Sequence, residues 1–320
     1  MTLSNKLLVS LGALGLDVLL WRIDLHTVPQ ALFHVGWGMA LVLSQEIVAH
    51  VLNASGWRFA FTREIAARFT FGELVRLRVA GDAINYVTPT ATIGGEVART
   101  AMLSEACGVD DRAVSVIIAK ATQTLAQAFF ITAGLSVVAT EWIAAGPRPS
   151  RVAWMVVGGL LTVVLVAHRI VARAGGWAAA WRRAFGPRLV EFLRNYPGRV
   201  AASTLMFALA YAWGAFEAYW ICRFLLMPVP VITAFTIEVL SITVDGILFM
   251  VPAKIGTQEG GKVAVFAALG LPPSLGFAFG VVRHVRELIW AVLGIFLYWA
   301  AISSRHRRLG STSKPTVQGV

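Results

Sequence analysis

Charge is scarce in this chain. Acidic and basic residues together make up 14% of its 320 residues, against about a quarter in soluble domains. So little charge cannot clothe a water-facing surface over a composition that is 57% hydrophobic with a mean hydropathy of +0.70. The composition excludes a soluble globular protein and points to an all-α polytopic membrane protein. Cysteine is nearly absent: Cys107 and Cys222 give neither a disulfide framework nor metal-ligand spacing. No H-E-x-x-H, G-x-S-x-G, P-loop or Cys/His cluster occurs, so the expectation is a protein with no metal, no cofactor and no enzymatic role. Acid is the scarcer sign, 17 residues against 28 basic, for a net charge of +11. In a soluble chain this excess indicates nucleic acid; in so apolar a chain it belongs to basic loops lying against anionic lipid, and no nucleic-acid partner is expected.

Long apolar runs are what the chain has instead. A helix needs about 20 apolar residues to span a bilayer. Six stretches qualify: Leu3 to Trp21, Ala31 to Ser55, Ala113 to Ala139, Val152 to Val171, Val200 to Leu226 and Ser274 to Ile302. The first holds Asp17 and no small-x-small cleavage site, so it reads as an uncleaved span. Two further regions are broken. Leu74 to Val87 and Val97 to Cys107 flank the stretch NYVTPTATIGGEVART and are each about half a crossing; Val231 to Leu271 is interrupted at Pro252, Lys254 and Gly256. Half-length arms about a Pro/Gly break read as re-entrant hairpins, tolerated only against protein or a watery cavity. The alternative for the first is a pair of surface amphipathic helices, and for Val231 to Val251 a full crossing.

Loop charge favours re-entry. Arginines gather at 58, 63, 68, 76 and 78, again between His168 and Arg199, and in the tail at 305, 307 and 308. These fall on one side, read as cytoplasmic together with both termini, only if neither broken region crosses. Trp177, Trp181, Phe185, Leu189 and Phe192 among arginines describe an amphipathic cytoplasmic elbow over about 172–197. The domain reading is one integral membrane domain, 1–304, with a basic disordered tail, 305–320.

A shift of 163 residues carries Asp82 onto Asp245, Pro89 onto Pro252, Glu96 onto Glu259, Arg99 onto Lys262 and Lys120 onto Arg283. The pattern D-x6-P-x6-E-x2-[KR]-x20-[KR] therefore occurs twice, over units of about 70–140 and 231–302. Three full spans between the units make the second enter from the opposite face, an inverted repeat whose broken helices meet near the midplane.

An ionisable group at membrane depth costs a few kcal/mol or more unless it faces a partner or water. The candidates are Asp82, Glu96, Lys120, Asp245, Glu259, Arg283 and Glu287, with Glu46, His50, Glu217 and Glu238 as outliers. Glu96 and Glu259 begin helices, where an acid caps free N–H groups, and Arg99 and Lys262 three residues on are their natural intrahelical partners. The break residues are Asn85, Pro89, Gly94, Gly95, Pro252 and Gly256, and the backbone at Gly94, Gly95 and Gly256 has a second reading, as amides exposed to a phosphate oxygen. Lys120, Gln123 and Gln127 share a helical face, as do Arg283, Arg286 and Glu287. Such a stripe suits an anionic headgroup; its alternative is an internal salt bridge to Asp245 or Asp82. Glu46 and His50, four apart, suit either a proton relay or a buried polar neighbour.

Three motifs, N-x3-P-x4-G-G-E-x2-R from Asn85, P-x3-G-x2-E-G from Pro252 and R-x3-E from Arg283, resemble the membrane part of bacterial lysylphosphatidylglycerol synthetases and the related stand-alone flippase-like proteins, including a hopanoid-associated branch. The similarity runs from about Ala31 to Ala300. It implies a lipid-translocating domain of the bacterial inner membrane, with a phospholipid or a hopanoid-type or isoprenoid-type lipid as partner and no aminoacyl-transfer domain. Lys254 departs from the small residue expected in the second break. The rival readings are a membrane-embedded enzyme acting on lipid headgroups and a non-transporting subunit of a lipid-synthesis complex.

Overall fold

The computed structural model describes residues 27–88, 93–103, 107–144, 186–247, 254 and 256–312, and these are all helical or in turns. Ten helices are named here: α1 Thr27–Val35, α2 Gly38–Phe59, α3 Arg63–Ala66, α4 Phe71–Val87, α5 Ile93–Met102, α6 Val109–Ala144, α7 Pro197–Phe224, α8 Val231–Ile247, α9 Thr257–Ala268 and α10 Pro273–Thr312. A further helical stretch covers 186–195.

Local sequence sets the boundaries. Thr62 and Thr70 cap α3 and α4, each side-chain oxygen accepting a backbone N–H three residues on. Prolines open α7 and α10, where their missing N–H costs nothing. The expected span from Ala31 to Ser55 is not continuous, because Gly36 takes a φ of +40° and separates α1 from α2. At the other end α10 continues to Thr312, so the tail expected to be disordered from 305 is helical that far; nothing before Gly310 breaks a helix.

Three described helices are long and apolar enough to cross a membrane: Val109–Ala139, Pro197–Phe224 and Pro273–Ser303. The expected spans Leu3 to Trp21 and Val152 to Val171 lie outside the described residues, as do Trp177, Trp181 and Phe185 of the elbow. The elbow's later part is helical and buries Phe192, with Leu189 packed behind it. By contrast α4 and α8 have 17 residues each, α5 has 10 and α9 has 12. At 1.5 Å per residue they reach roughly 15 to 26 Å, short of a hydrocarbon core about 30 Å thick.

Helix α2 runs antiparallel to α7 along its whole length. Gly38 lies on the Phe224 ring, Gln45 accepts from the Trp213 indole at 2.8 Å, the Gly56 carbonyl accepts from Ser203 at 2.8 Å, and the Phe61 carbonyl accepts from Arg199 at 2.5 Å. This pair defines two ends of the bundle, and a separate apolar cluster forms at each. One gathers Val42, Ile221 and Leu225 with Ala234, Val265 and Phe266, which are the outer ends of α8 and α9. The other gathers Trp57, Phe61 and Phe207 with Leu74 and Leu103, the outer ends of α4 and α5. Each short pair is therefore an antiparallel hairpin with both outer ends at one end of the bundle, and the two hairpins point inward from opposite ends. Helix α6 is parallel to α7, with Thr122 against Ser203 at 2.7 Å and Gln127 against Tyr211 at 3.4 Å, and antiparallel to α8, with Gly134 against Val239 and Gln127 against Gly246.

The outward faces of the long helices stay apolar. Leu125 and Phe129 on α6, Leu205 and Leu209 on α7, and Val292, Phe296 and Trp299 on α10 are exposed, as side chains that meet acyl chains should be. Inside, glycines bring helix backbones together. A Cβ at Gly280 of α10 would stand 2.9 Å from the Glu259 Cα and 3.2 Å from the Gln258 carbonyl oxygen, and one at Gly276 would stand 2.9 Å from the Lys262 carbonyl. This Gly-x3-Gly face is what lets α9 lie so close on α10. Gly280→Ala should destabilise the solubilised protein by about 1–3 kcal/mol, whereas Gly260→Ala on α9, which meets nothing within 4 Å, should be neutral or stabilising by up to about 1 kcal/mol. Thermal unfolding of the two variants checks this; equal losses would contradict the close contact.

Candidate functional site

The hairpins are pinned by matching ion pairs. In the first, Asp82 of α4 accepts from Arg99 of α5 at 2.5 Å, and Arg99 also donates to Glu96 at 2.5 Å. Arg78, one turn before Asp82, donates to its other oxygen at 3.1 Å. Gly81 and Gly95 have no room for a side chain, since a Cβ at either would collide with Arg99 or with Asn85 and the Gly81 carbonyl. That absence lets the Gly95 N–H reach the Asn85 side-chain oxygen at 2.6 Å, which answers one free donor at the start of α5. In the second hairpin Asp245 of α8 accepts from Lys262 of α9 at 3.0 and 3.1 Å. Asp82 to Arg99 and Asp245 to Lys262 each span 17 residues and stand at the positions that the 163-residue shift equates.

A larger network lies beside the second pair. Arg283 of α10 donates to Glu238 of α8 at 2.5 Å and lies 3.2 Å from Glu217 of α7. Arg286, three residues on, donates to Glu217 at 2.7 Å and to Glu46 of α2 at 2.6 Å. Two arginines on one face thus tie α2, α7 and α8 to α10. Lys254, held at a φ of +51°, crosses the second break to Glu287 at 2.9 Å and lies 4.0 Å from Asp245. Gly256 beside it, at a φ of +73°, turns the chain into α9.

The inner parts of the hairpins converge on His284. Its Nδ1 meets Glu259 of α9 at 2.5 Å, and its ring lies edge-on to Tyr86 of α4 with centroids 6.3 Å apart. His50 stands on the other flank of α4, 3.8 Å from Asp82 and tilted against the Trp290 ring at 4.7 Å. Lys120 reaches Glu96 at 3.6 Å, but 42% of its side chain is exposed, against 2% for Arg99 and 5% for Arg283. Below it on α6 come Gln123 and Gln127; Gln127 accepts from Tyr211 at 3.4 Å and abuts Gly246 of the second hairpin. The stripe therefore leads from one ion-pair cluster to the other.

Several expectations are met and several redrawn. Glu96 pairs with Arg99 as its spacing predicts, but Glu259 does not pair with Lys262: Lys262 takes Asp245 and Glu259 takes His284. Arg283 pairs with Glu238 and Glu217 rather than with Asp245 or Asp82, so two acids treated as outliers sit at the centre, with Glu46 beside them. Arg78, counted with the loop arginines, is buried on the Asp82 pair. His284 carried no signal of its own; only its position next to Arg283 on the inward face of α10 marks it. Pro89 and Pro252 lie outside the described residues, and Gly94, at the start of α5, adjoins the Gly95 contact.

Removing one member of a buried ion pair strands the other. Arg283→Ala should therefore cost about 3–5 kcal/mol of stability, and adding Glu238→Ala should recover part of the loss, by unfolding titration in mixed detergent micelles. Independent, additive losses would mean the pair carries no coupling.

No curated protein and no solved structure matches the chain. The family model described as the lysylphosphatidylglycerol synthase TM region matches residues 5–295, which is most of the molecule and includes both hairpins and the whole ion network. The chain belongs to that family, and is a multi-pass membrane protein of lipid metabolism or transport.

Proposed function

We propose that the protein is a flippase, a transporter that moves a polar or anionic lipid between the leaflets of the bacterial cytoplasmic membrane, and that it performs no catalytic chemistry. The observation that carries this reading is the pair of inward-pointing hairpins, each closed by an aspartate-to-cation bond across 17 residues and converging on His284. In a bilayer such hairpins are re-entrant, and their opposed directions make them an inverted repeat, the architecture that gives transporters a midplane site open to each side in turn. Six full crossings complete the topology. Helices α6 and α7 are parallel, which agrees with an odd number of passes between them, and both termini are placed in the cytoplasm on this reading.

Charge balance supports an anionic headgroup. Among the described residues the first cluster holds Arg78, Arg99 and Lys120 against Asp82 and Glu96, an excess of base. The second holds Glu46, Glu217, Glu238, Asp245, Glu259 and Glu287 against Lys254, Lys262, Arg283 and Arg286, an excess of acid. An anionic headgroup is drawn to the first cluster, where Lys120 is the cation with the most exposed side chain, and Gln123 and Gln127 line the way toward the second. Phospholipid headgroups fit this chemistry, and so do hopanoid-type or isoprenoid-type lipids carrying a polar or anionic head. The acyl or polycyclic tail stays in the bilayer throughout.

Lys120 separates function from folding. Lys120→Ala removes a half-exposed cation and should leave stability within about 1 kcal/mol, yet lower the translocation of fluorescent phosphatidylglycerol in proteoliposomes at least tenfold. Wild-type flux in a correctly inserted Lys120→Ala protein would overturn this mechanism.

A further inference from the structure

Where α2 ends and α7 begins, away from the hairpin tips, the surface holds a cavity of about 390 Å³ lined by Ser55, Arg58, Phe59, Arg63, Phe71 and Arg199. Its volume is in the range of small-molecule sites, roughly 300–1,000 Å³. Three arginines line one space, where the charges of Arg58 and Arg63 act against that of Arg199.

Arg199 is held in place. Its Nε donates to the Phe61 carbonyl at 2.5 Å and one terminal nitrogen to the Arg58 carbonyl at 2.8 Å, and its plane lies over the Phe59 ring at 5.5 Å. It thus adds a donor to the carbonyls that follow α2 and complements the negative end of that helix. Among the described residues Arg58 and Arg63 form no ion pair. The acid beside them, Glu64, is exposed and acts electrostatically on Arg199 and Arg63 without a direct ion pair to either. Thr62 caps α3 and Thr70 caps α4, so the loop that carries Arg63 is fixed.

The walls between the arginines are apolar, made by Phe59, Phe71, Ala66 and Ala67. An arginine fork is shaped for phosphate oxygens, and rings beside it suit the glycerol and upper acyl carbons of a lipid. Basic pockets between helices at the membrane surface favour anionic headgroups. We propose that this pocket is a phosphate site that holds the headgroup of an anionic membrane phospholipid at the interface, separate from the Lys120 cluster and independent of whether the protein moves lipid.

The test uses the full chain in detergent, titrated with dioctanoyl phosphatidylglycerol, dioctanoyl phosphatidylcholine or inorganic phosphate, with the thermal midpoint as readout. Arg58→Gln with Arg63→Gln leaves the Arg199 clamp intact. This double variant should weaken the phosphatidylglycerol response about tenfold or more, the loss of one or two charge-assisted bonds. Arg63→Glu, at an exposed position in a four-residue helix, should give the same loss and serves if the double variant misfolds. An unchanged response in either arginine variant, or an equal response to phosphatidylcholine, overturns the site. Inorganic phosphate raising the midpoint as far as phosphatidylglycerol overturns its assignment to lipid.

Discussion

A charge inside this bundle has to meet its opposite, and most of the architecture follows from how that is arranged. Among the described residues the long helices turn apolar side chains outward, faces that offer an arginine or glutamate little hydration in a membrane. Each buried charge becomes a constraint on which helices touch. Arg99 fixes α5 to α4, Lys262 fixes α9 to α8, and Arg283 with Arg286 fixes α10 to three helices at once. Such pairs contribute little net stability over apolar packing. What they contribute here is arrangement: each pair fixes which helices meet and in what register.

The two units begin from one pattern and end differently. Both keep an aspartate on the leading arm and a cation on the trailing arm, and both bring the arms close by small residues, Gly81 and Gly95 in one and Gly261 against Val244 in the other. The third element of each unit has diverged. On α6 the matching cation, Lys120, is half exposed beside Glu96; on α10 Arg283 is sealed under two glutamates from other helices. In the second unit Lys254 also reaches across to Glu287. The other retains the exposed cation and the glutamine stripe.

Much of this was legible in the sequence because composition and spacing are local. Long apolar runs mark α6, α7 and α10; the Pro/Gly breaks mark the short helices; the 163-residue shift marks Asp82 with Asp245 and Arg99 with Lys262 before any coordinates are seen. Partner choice was less legible, since it depends on which helices are neighbours. Three-residue spacing gave Glu96 its arginine but misassigned Glu259, because His284 on α10 comes closer than Lys262 on the same helix. Glu217 and Glu238 looked incidental since neither belongs to the repeated pattern, and Arg78 looked like loop charge since four other arginines precede it nearby. The interruption at Gly36 was hidden within an unbroken apolar run.

The central claim is that two helical hairpins dip into the membrane from opposite faces. Single cysteines at Gly72 and Gly108, flanking the first hairpin, and at Val231 and Pro272, flanking the second, test it in a chain with Cys107 and Cys222 replaced, by reaction with a membrane-impermeant maleimide in sealed, oriented vesicles. The account predicts that 72 and 108 react from one side and that 231 and 272 both react from the other. Positions 72 and 108 on different sides, or all four on the same side, would contradict it.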